Sequence, residues 1–277
     1  MNGLLAKTDN GRHIPAFRTV IGAVGIAGLG LTAVVVALDN VIAHAPAGAA
    51  HGAPPLSPPD VGFVFGTDAL GRDVMSETVH ALAVSFSSAV FATAIAIVIG
   101  AFAGFALVRM PLGAGRLVRF VSGIVRTVPA LVLAIVLVAL SSRDFSTIAV
   151  GLAICPAIFN RSFDSAMSLA RSRHAMYARA SGIPGFTLLR RDLVYELRVN
   201  FMYVAGRALA ASATILATLS FLGFGTVPPH RDLGLVIAQA RDSYLNAWWC
   251  VLFPALALVV FILCARWAAT DAGGEAS

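Results

Sequence analysis

Asp68, Arg72 and Asp73 fall within six positions of one another in the stretch FGTDALGRDV (65–74). Two carboxylates beside a guanidinium suit general acid–base work, a small ligand site, or a helix cap whose side-chain oxygens accept from backbone N–H groups. Two more charges, Arg126 and Arg207, stand inside apolar segments. There an ionisable group either marks a pathway through the protein or, near a segment end, reaches back to water. Cys155, Cys250 and Cys264 lie in apolar runs without ligand spacing and read as buried thiols. The six histidines are scattered, and no H-E-x-x-H, C-x-x-C or G-x-S-x-G pattern occurs. No catalytic residue and no metal ligand is therefore assigned. The only lysine, Lys7, sits in a tail without a glycine-rich phosphate loop, so the chain is not expected to bind a nucleotide.

The elements that position these residues follow from composition. Of 277 residues, 58% are hydrophobic and 12% charged, with a mean hydropathy of +0.84. A soluble domain carries about 25% charged residues, so most of this chain belongs in lipid. A crossing helix needs about 20 mostly apolar residues. Six stretches qualify: 20–38, 81–108, 120–142, 145–160, 199–224 and 243–265, the fourth short but extendable. The first exceeds the 7–15 apolar residues of a secretion signal and is expected to stay as a span. The resulting divisions are a tail (1–19), a first span (20–43), an external loop with a short helix (44–80), a five-helix core (81–268) and a second tail (269–277).

The net charge of +6 comes almost wholly from arginine. The arginines lie between apolar segments rather than on a polar domain, which argues against nucleic acid as a partner and for a lipid bilayer. Lys7, Arg12 and Arg18, then Arg109, Arg116 and Arg119, then the arginine-rich 161–198 stretch, alternate with gaps that are poor in unpaired basic charge. By the positive-inside rule both termini are cytoplasmic. FGTDALGRDV is then external. Thr67 or Asp68 would cap a helix starting near Ala69, with Arg72 and Asp73 as solvated or paired structural groups.

Within the cytoplasmic loop, residues 165–181 read as a helix that Gly182, Pro184 and Gly185 stop sharply. Residues 187–198 restart a basic helix leading into the fifth span. Such a helix–corner–helix could lie on anionic lipid or enter a groove on a cytoplasmic partner. The fixed corner at GIPG favours docking. No chain of acids crosses the membrane and no inverted repeat is evident, which argues against a stand-alone secondary carrier.

YARASGIPG (177–185) resembles the cytoplasmic motif of binding-protein-dependent ABC importer permeases, with Arg179, Ala180, Ser181 and Gly185 at the motif positions. GTDALGRDV (66–74), LSFLGFGTVPPHRDLG (219–234) and AWWCVLFPALAL (247–258) are similar to blocks of the dipeptide, oligopeptide and nickel importers, specifically their second permease. Arg179 stands where the motif usually has an acid.

That resemblance implies an all-α polytopic membrane protein with six transmembrane helices, the type I importer fold, in the inner membrane of a bacterium. It implies a coupling segment formed by Met176, Tyr177, Ala178, Arg179, Ala180, Ser181, Gly182, Pro184, Gly185 and Phe186, docking on ATP-binding subunits. It also implies an external, binding-protein-facing region with Thr67, Asp68, Gly71, Arg72, Asp73, Pro228 and Pro229. Arg126 and Arg207 are candidate pathway residues. The implied partners are a homologous permease, two ATPase subunits that hold ATP and Mg, and a binding protein delivering di- or oligopeptides. Nickel, metallophore or haem cargo on the same machinery is the near alternative.

Overall fold

The computed structural model describes residues 14–38, 54–107, 112–170, 181, 185–226 and 230–271. Eight α-helices account for most of them: α1 (Ile14–Ala37), α2 (Val74–Leu107), α3 (Leu112–Thr127), α4 (Ala130–Leu140), α5 (Ser146–Ala170), α6 (Gly185–Phe221), α7 (Leu233–Ala240) and α8 (Trp249–Asp271). The described residues contain no strand, only the isolated bridges Asp60–Phe63 and Thr67–Asp73. Helices dominate because a backbone in hydrocarbon has no water to bond and must satisfy itself along its own segment.

Five helices are long and apolar enough to cross a membrane: parts of α1, α2, α5, α6 and α8. The third expected span, 120–142, is not one straight helix. It is broken into α3 and α4, bent by 95°. Pro129 is the cause, since it lacks an N–H and drives Val128 out of the helical region. Val128 N–H instead closes a tight turn on Val125 O at 3.2 Å, and Leu133 N–H opens α4 on Pro129 O at 3.1 Å. The fourth span runs much further than 145–160. α5 continues unbroken through 165–170, so the helix expected to begin at 165 is, as far as Ala170, its inner end. The last span starts at Trp249 rather than at 243, because a 3-10 turn (Arg241–Ser243) precedes it.

Small side chains set the packing. The central core joins Ala89, Ala92 and Ala96 of α2 with Val150, Ala153 and Ile158 of α5, and with Ala208, Ala213 and Leu216 of α6. Lipid tails are as apolar as leucine, so helices associate by close van der Waals approach rather than by escape from water. A Cβ on Gly104 would come within 2.7 Å of Phe159 O, and one on Gly206 within 2.7 Å of Ala265 O. α1 lies on α8 in the same way, with Gly25 against the Ala268 backbone and Gly28 against Cys264.

Few polar ties cross the bundle. Thr93 and Ser212 hydroxyls meet at 3.1 Å between α2 and α6. Asn160 of α5 donates to Ser122 Oγ of α3 at 2.9 Å and to Pro156 O at 2.9 Å.

Gly104→Leu forces α2 away from the α5 backbone and is expected to cost about 1–3 kcal/mol. Thermal unfolding of the detergent-purified variant checks this; an unchanged midpoint would refute the close-approach account.

Candidate functional site

The external stretch folds as a knot beneath the start of α8. Thr67 is fully buried at its centre. Its hydroxyl donates to Pro54 O and accepts from Ser57 N–H, both at 2.8 Å. Its carbonyl accepts from Trp249 Nε1 at 3.2 Å. Gly66, at φ +72, leaves no room for a Cβ, which would meet Ser57 O and Trp249 Nε1 at 2.7 Å. Phe65 stacks on Phe253, ring centroids 4.0 Å apart.

Asp68 organises the next turn. One carboxylate oxygen accepts from Leu70 and Arg72 N–H at 2.8 Å, and the other from Arg72 Nε at 2.7 Å. These bonds, with Gly71 at φ +70, keep 69–72 out of a right-handed helix. The helix expected from Ala69 therefore begins at Val74, and Asp73, not Thr67 or Asp68, caps it. Asp73 accepts from Ser76 N–H at 3.1 Å and Ser76 Oγ at 2.6 Å. No separate short helix stands in 54–80, since residues 74–80 are the first turns of α2.

Burial corrects the expected exposure of this region. Thr67, Gly71, Arg72 and Asp73 are buried within the chain. They shape the external face; the surface there is Ala69 and Leu70, with Asp68 half-buried. Pro228 and Pro229 lie outside the described residues.

A second layer ties α7 to α2 and α6. Arg231 Nη1 pairs with Glu77 Oε2 at 3.0 Å. Leu233 N–H donates to Ser85 Oγ at 2.9 Å. Asp232 caps α7 through Leu235 N–H at 2.8 Å and accepts from the hydroxyl of Ser220, on the last turn of α6. A cavity of about 280 Å³ opens between knot and α7, lined by Asp68, Arg72, Glu77, Arg231 and Gln239 among others. Burial is the largest influence on Asp232 and raises its carboxyl above the usual 3.8, against the lowering pull of Ser220 and Leu235.

This second layer was not found from sequence. Asp232 ahead of LGLV is a readable cap signal. The Glu77–Arg231 pair, 154 residues apart in the chain, leaves no local trace.

At the cytoplasmic side, Met176, Tyr177, Ala178, Arg179, Ala180, Gly182 and Pro184 lie outside the described residues. Ser181 is an exposed turn residue, and Gly185 and Phe186 open α6. α6 then runs 37 residues without a break, roughly 55 Å at 1.5 Å per residue. One rod thus links Gly185 to the Ser220–Asp232 tie.

The two intramembrane arginines do not meet. Arg126 is exposed in the last turn of α3 at the 95° break, where a cation complements the helix C-terminus. Arg207 is exposed on α6, its guanidinium 5.5 Å from the Tyr203 ring centroid.

This arrangement is that of a polytopic helical membrane protein with a buried polar knot at one end of its apolar helices. Residues 96–270 match the binding-protein-dependent transport system inner membrane component family, and the chain belongs to it. It is a multi-pass inner-membrane permease component of an ABC importer. It is 34% identical over 211 residues to the di/tripeptide transport system permease protein of Pseudomonas aeruginosa, covering 73% of this chain and 67% of the relative. A Brucella suis protein provisionally assigned as a peptide transport system permease is 30% identical over 212 residues, covering 74% and 70%. A glutathione transport system permease protein of Escherichia coli is 27% identical over 207 residues, covering 74% and 68%.

Asp68→Ala removes three hydrogen bonds and strands Arg72, and is expected to cost about 2 kcal/mol or more. Asp68→Ala/Arg72→Met, which also removes the stranded charge, loses less; thermal unfolding of both decides. For Asp232 the raised carboxyl means the fold holds its proton to higher pH than the unfolded chain does. Its contribution is complete below the usual carboxylate value and is lost as pH rises through that value toward the raised one. The melting-temperature difference between Asp232→Asn and wild type should therefore shift in the variant's favour as pH is raised through and above the usual carboxylate value.

Proposed function

We propose that this chain imports peptides, down to di- and tripeptide length, as one of two homologous permeases forming a shared pathway. Separate subunits bind ATP and Mg and carry the ATPase activity, and an external binding protein delivers cargo. The chain itself holds no cofactor.

The observation that carries the mechanism is the continuity of α6. Its first residue, Gly185, closes the corner whose residues 176–186 dock on an ATPase subunit. Its last turn holds Ser220, which bonds Asp232 at the head of α7. A helix with an unbroken backbone ladder moves as a unit, so a displacement at the corner reaches the external layer with little loss. Two conformations that differ in those end contacts are what ATP binding would select between. Arg231–Glu77 and Leu233–Ser85 are the contacts that would exchange outside. The peptide cargo rests on the relatives' named substrates.

The test is co-expression with a second permease, two ATPases and a binding protein, followed by uptake of labelled dipeptide into proteoliposomes. Gly185→Phe and Tyr177→Ala are expected to lower uptake about tenfold or more while ATP hydrolysis loses its stimulation by the binding protein. Uptake by the chain alone, with no ATPase present, would sink the reading.

A further inference from the structure

Two guanidinium groups converge on one ring at the inner end of the bundle. Arg161 of α5 lies 4.6 Å, and Arg207 of α6 5.5 Å, from the centroid of Tyr203. Both arginines are exposed and the tyrosine is half-buried. Three other arginines find carboxylates: Arg72 pairs with Asp68 at 2.7 Å, Arg231 with Glu77 at 3.0 Å and Arg119 with Asp164 at 2.7 Å. Among the described residues, neither Arg161 nor Arg207 meets one. Cation–π contact offsets some of the repulsion between them. It does not neutralise it, and two cations on one ring next to a low-dielectric slab favour an anion beside them.

Their depth says which anion. The candidate span that includes most of α5 runs Arg143–Ser168, and Arg161, the next charged residue after Asp144, lies roughly 27 Å along it. That is close to the ~30 Å of a hydrocarbon core, which puts the guanidinium at the inner headgroup level. In α6 the charged residue preceding Arg207 is Arg198, so Arg207 lies about two and a half turns beyond it, within reach of the interface for a long side chain. Its side chain turns back one helical turn to Tyr203, toward that same level, as a long basic side chain does when it seeks the interface. Tyrosine belongs at this depth, with its ring in the apolar region and its hydroxyl in water. Guanidinium is the group whose fork matches phosphate oxygens in pairs.

We infer that Arg161, Tyr203 and Arg207 form a binding site for the phosphate headgroup of an anionic phospholipid in the cytoplasmic leaflet. The bound lipid offsets one of the two positive charges and bridges α5 to α6. Because α6 carries the coupling corner, the composition of the inner leaflet then bears on the helix pair that must move. This inference rests on the orientation drawn from the arginine distribution and is independent of the cargo.

The experiment is native mass spectrometry of the full-length chain in detergent, titrated with phosphatidylglycerol and, separately, phosphatidylcholine. Wild type should retain phosphatidylglycerol in preference. Arg161→Gln/Arg207→Gln should weaken that retention about 30-fold and leave phosphatidylcholine unchanged. Arg161→Lys/Arg207→Lys, which keeps the charge but not the paired fork, should retain an intermediate amount, and an unchanged melting temperature of the glutamine variant shows that its loss is not misfolding. Arg119→Gln, a cation already paired with Asp164, should match wild type.

Equal retention by the glutamine variant and wild type would overturn the site, as would an equal loss in Arg119→Gln. Displacement of phosphatidylglycerol by millimolar inorganic phosphate would reassign it to a soluble anion. A parallel uptake assay covers the remaining occupant. If the glutamine variant keeps its lipid but loses discrimination between free-acid and amidated dipeptide, the arginines serve the peptide carboxylate and the lipid assignment is wrong.

Discussion

The absence of water in the hydrocarbon core is the constraint on which the rest of this structure depends. It forces every backbone group in a span into its own helix, and it removes the hydrophobic drive that would push helices together. What remains is close contact, and the chain supplies it with alanine and glycine. Ala89, Ala92 and Ala96 face Val150 and Ala153. Gly100, Gly104 and Gly151 let α2 and α5 approach backbone to side chain, and Gly206 does the same for α6 on α8. Larger residues at these points would separate the helices and dissolve the frame that holds both ends of the molecule.

On that frame the two faces differ in kind. The external face is tied by polar bonds between distant segments. Thr67 joins 54–57 to Trp249, Asp68 clasps Arg72, Glu77 holds Arg231, and Ser85 and Ser220 hold the start of α7. Such bonds are directional, so this region has few intermediate arrangements. The opposite face instead presents the exposed cations Arg161 and Arg207, with Arg119 paired to Asp164 at 2.7 Å. α6 connects the two, and its unbroken length makes the ends mechanically dependent on each other.

The broken third span follows from a single residue. Pro129 removes one donor and disfavours the helical region for Val128, and the bundle accepts a 95° elbow there. Arg126, which looks like an intramembrane charge when the segment is read as one span, sits instead at that elbow. In α2 the same logic runs through hydrogen bonding. The Asp68 carboxylate takes the amide donors of Leu70 and Arg72, so the helix cannot begin until Asp73 supplies a new cap.

Class, number and approximate position of the membrane segments were legible in the sequence, because hydropathy over about 20 residues is a property of composition alone. The family blocks were legible too, since they are contiguous runs such as YARASGIPG and GTDALGRDV. Local chemistry was half legible. That Arg72 and Asp73 are structural groups followed from their setting, but which residue caps the helix did not. Tertiary structure alone decided that Thr67, Arg72 and Asp73 are buried, that Glu77 finds Arg231 and Ser220 finds Asp232, and that Arg161 and Arg207 share one tyrosine. The Glu77–Arg231 and Arg161–Tyr203 contacts join positions far apart in the chain. A contact between helices depends on the rotation and crossing of two rods, and no one-dimensional pattern in either helix records its partner.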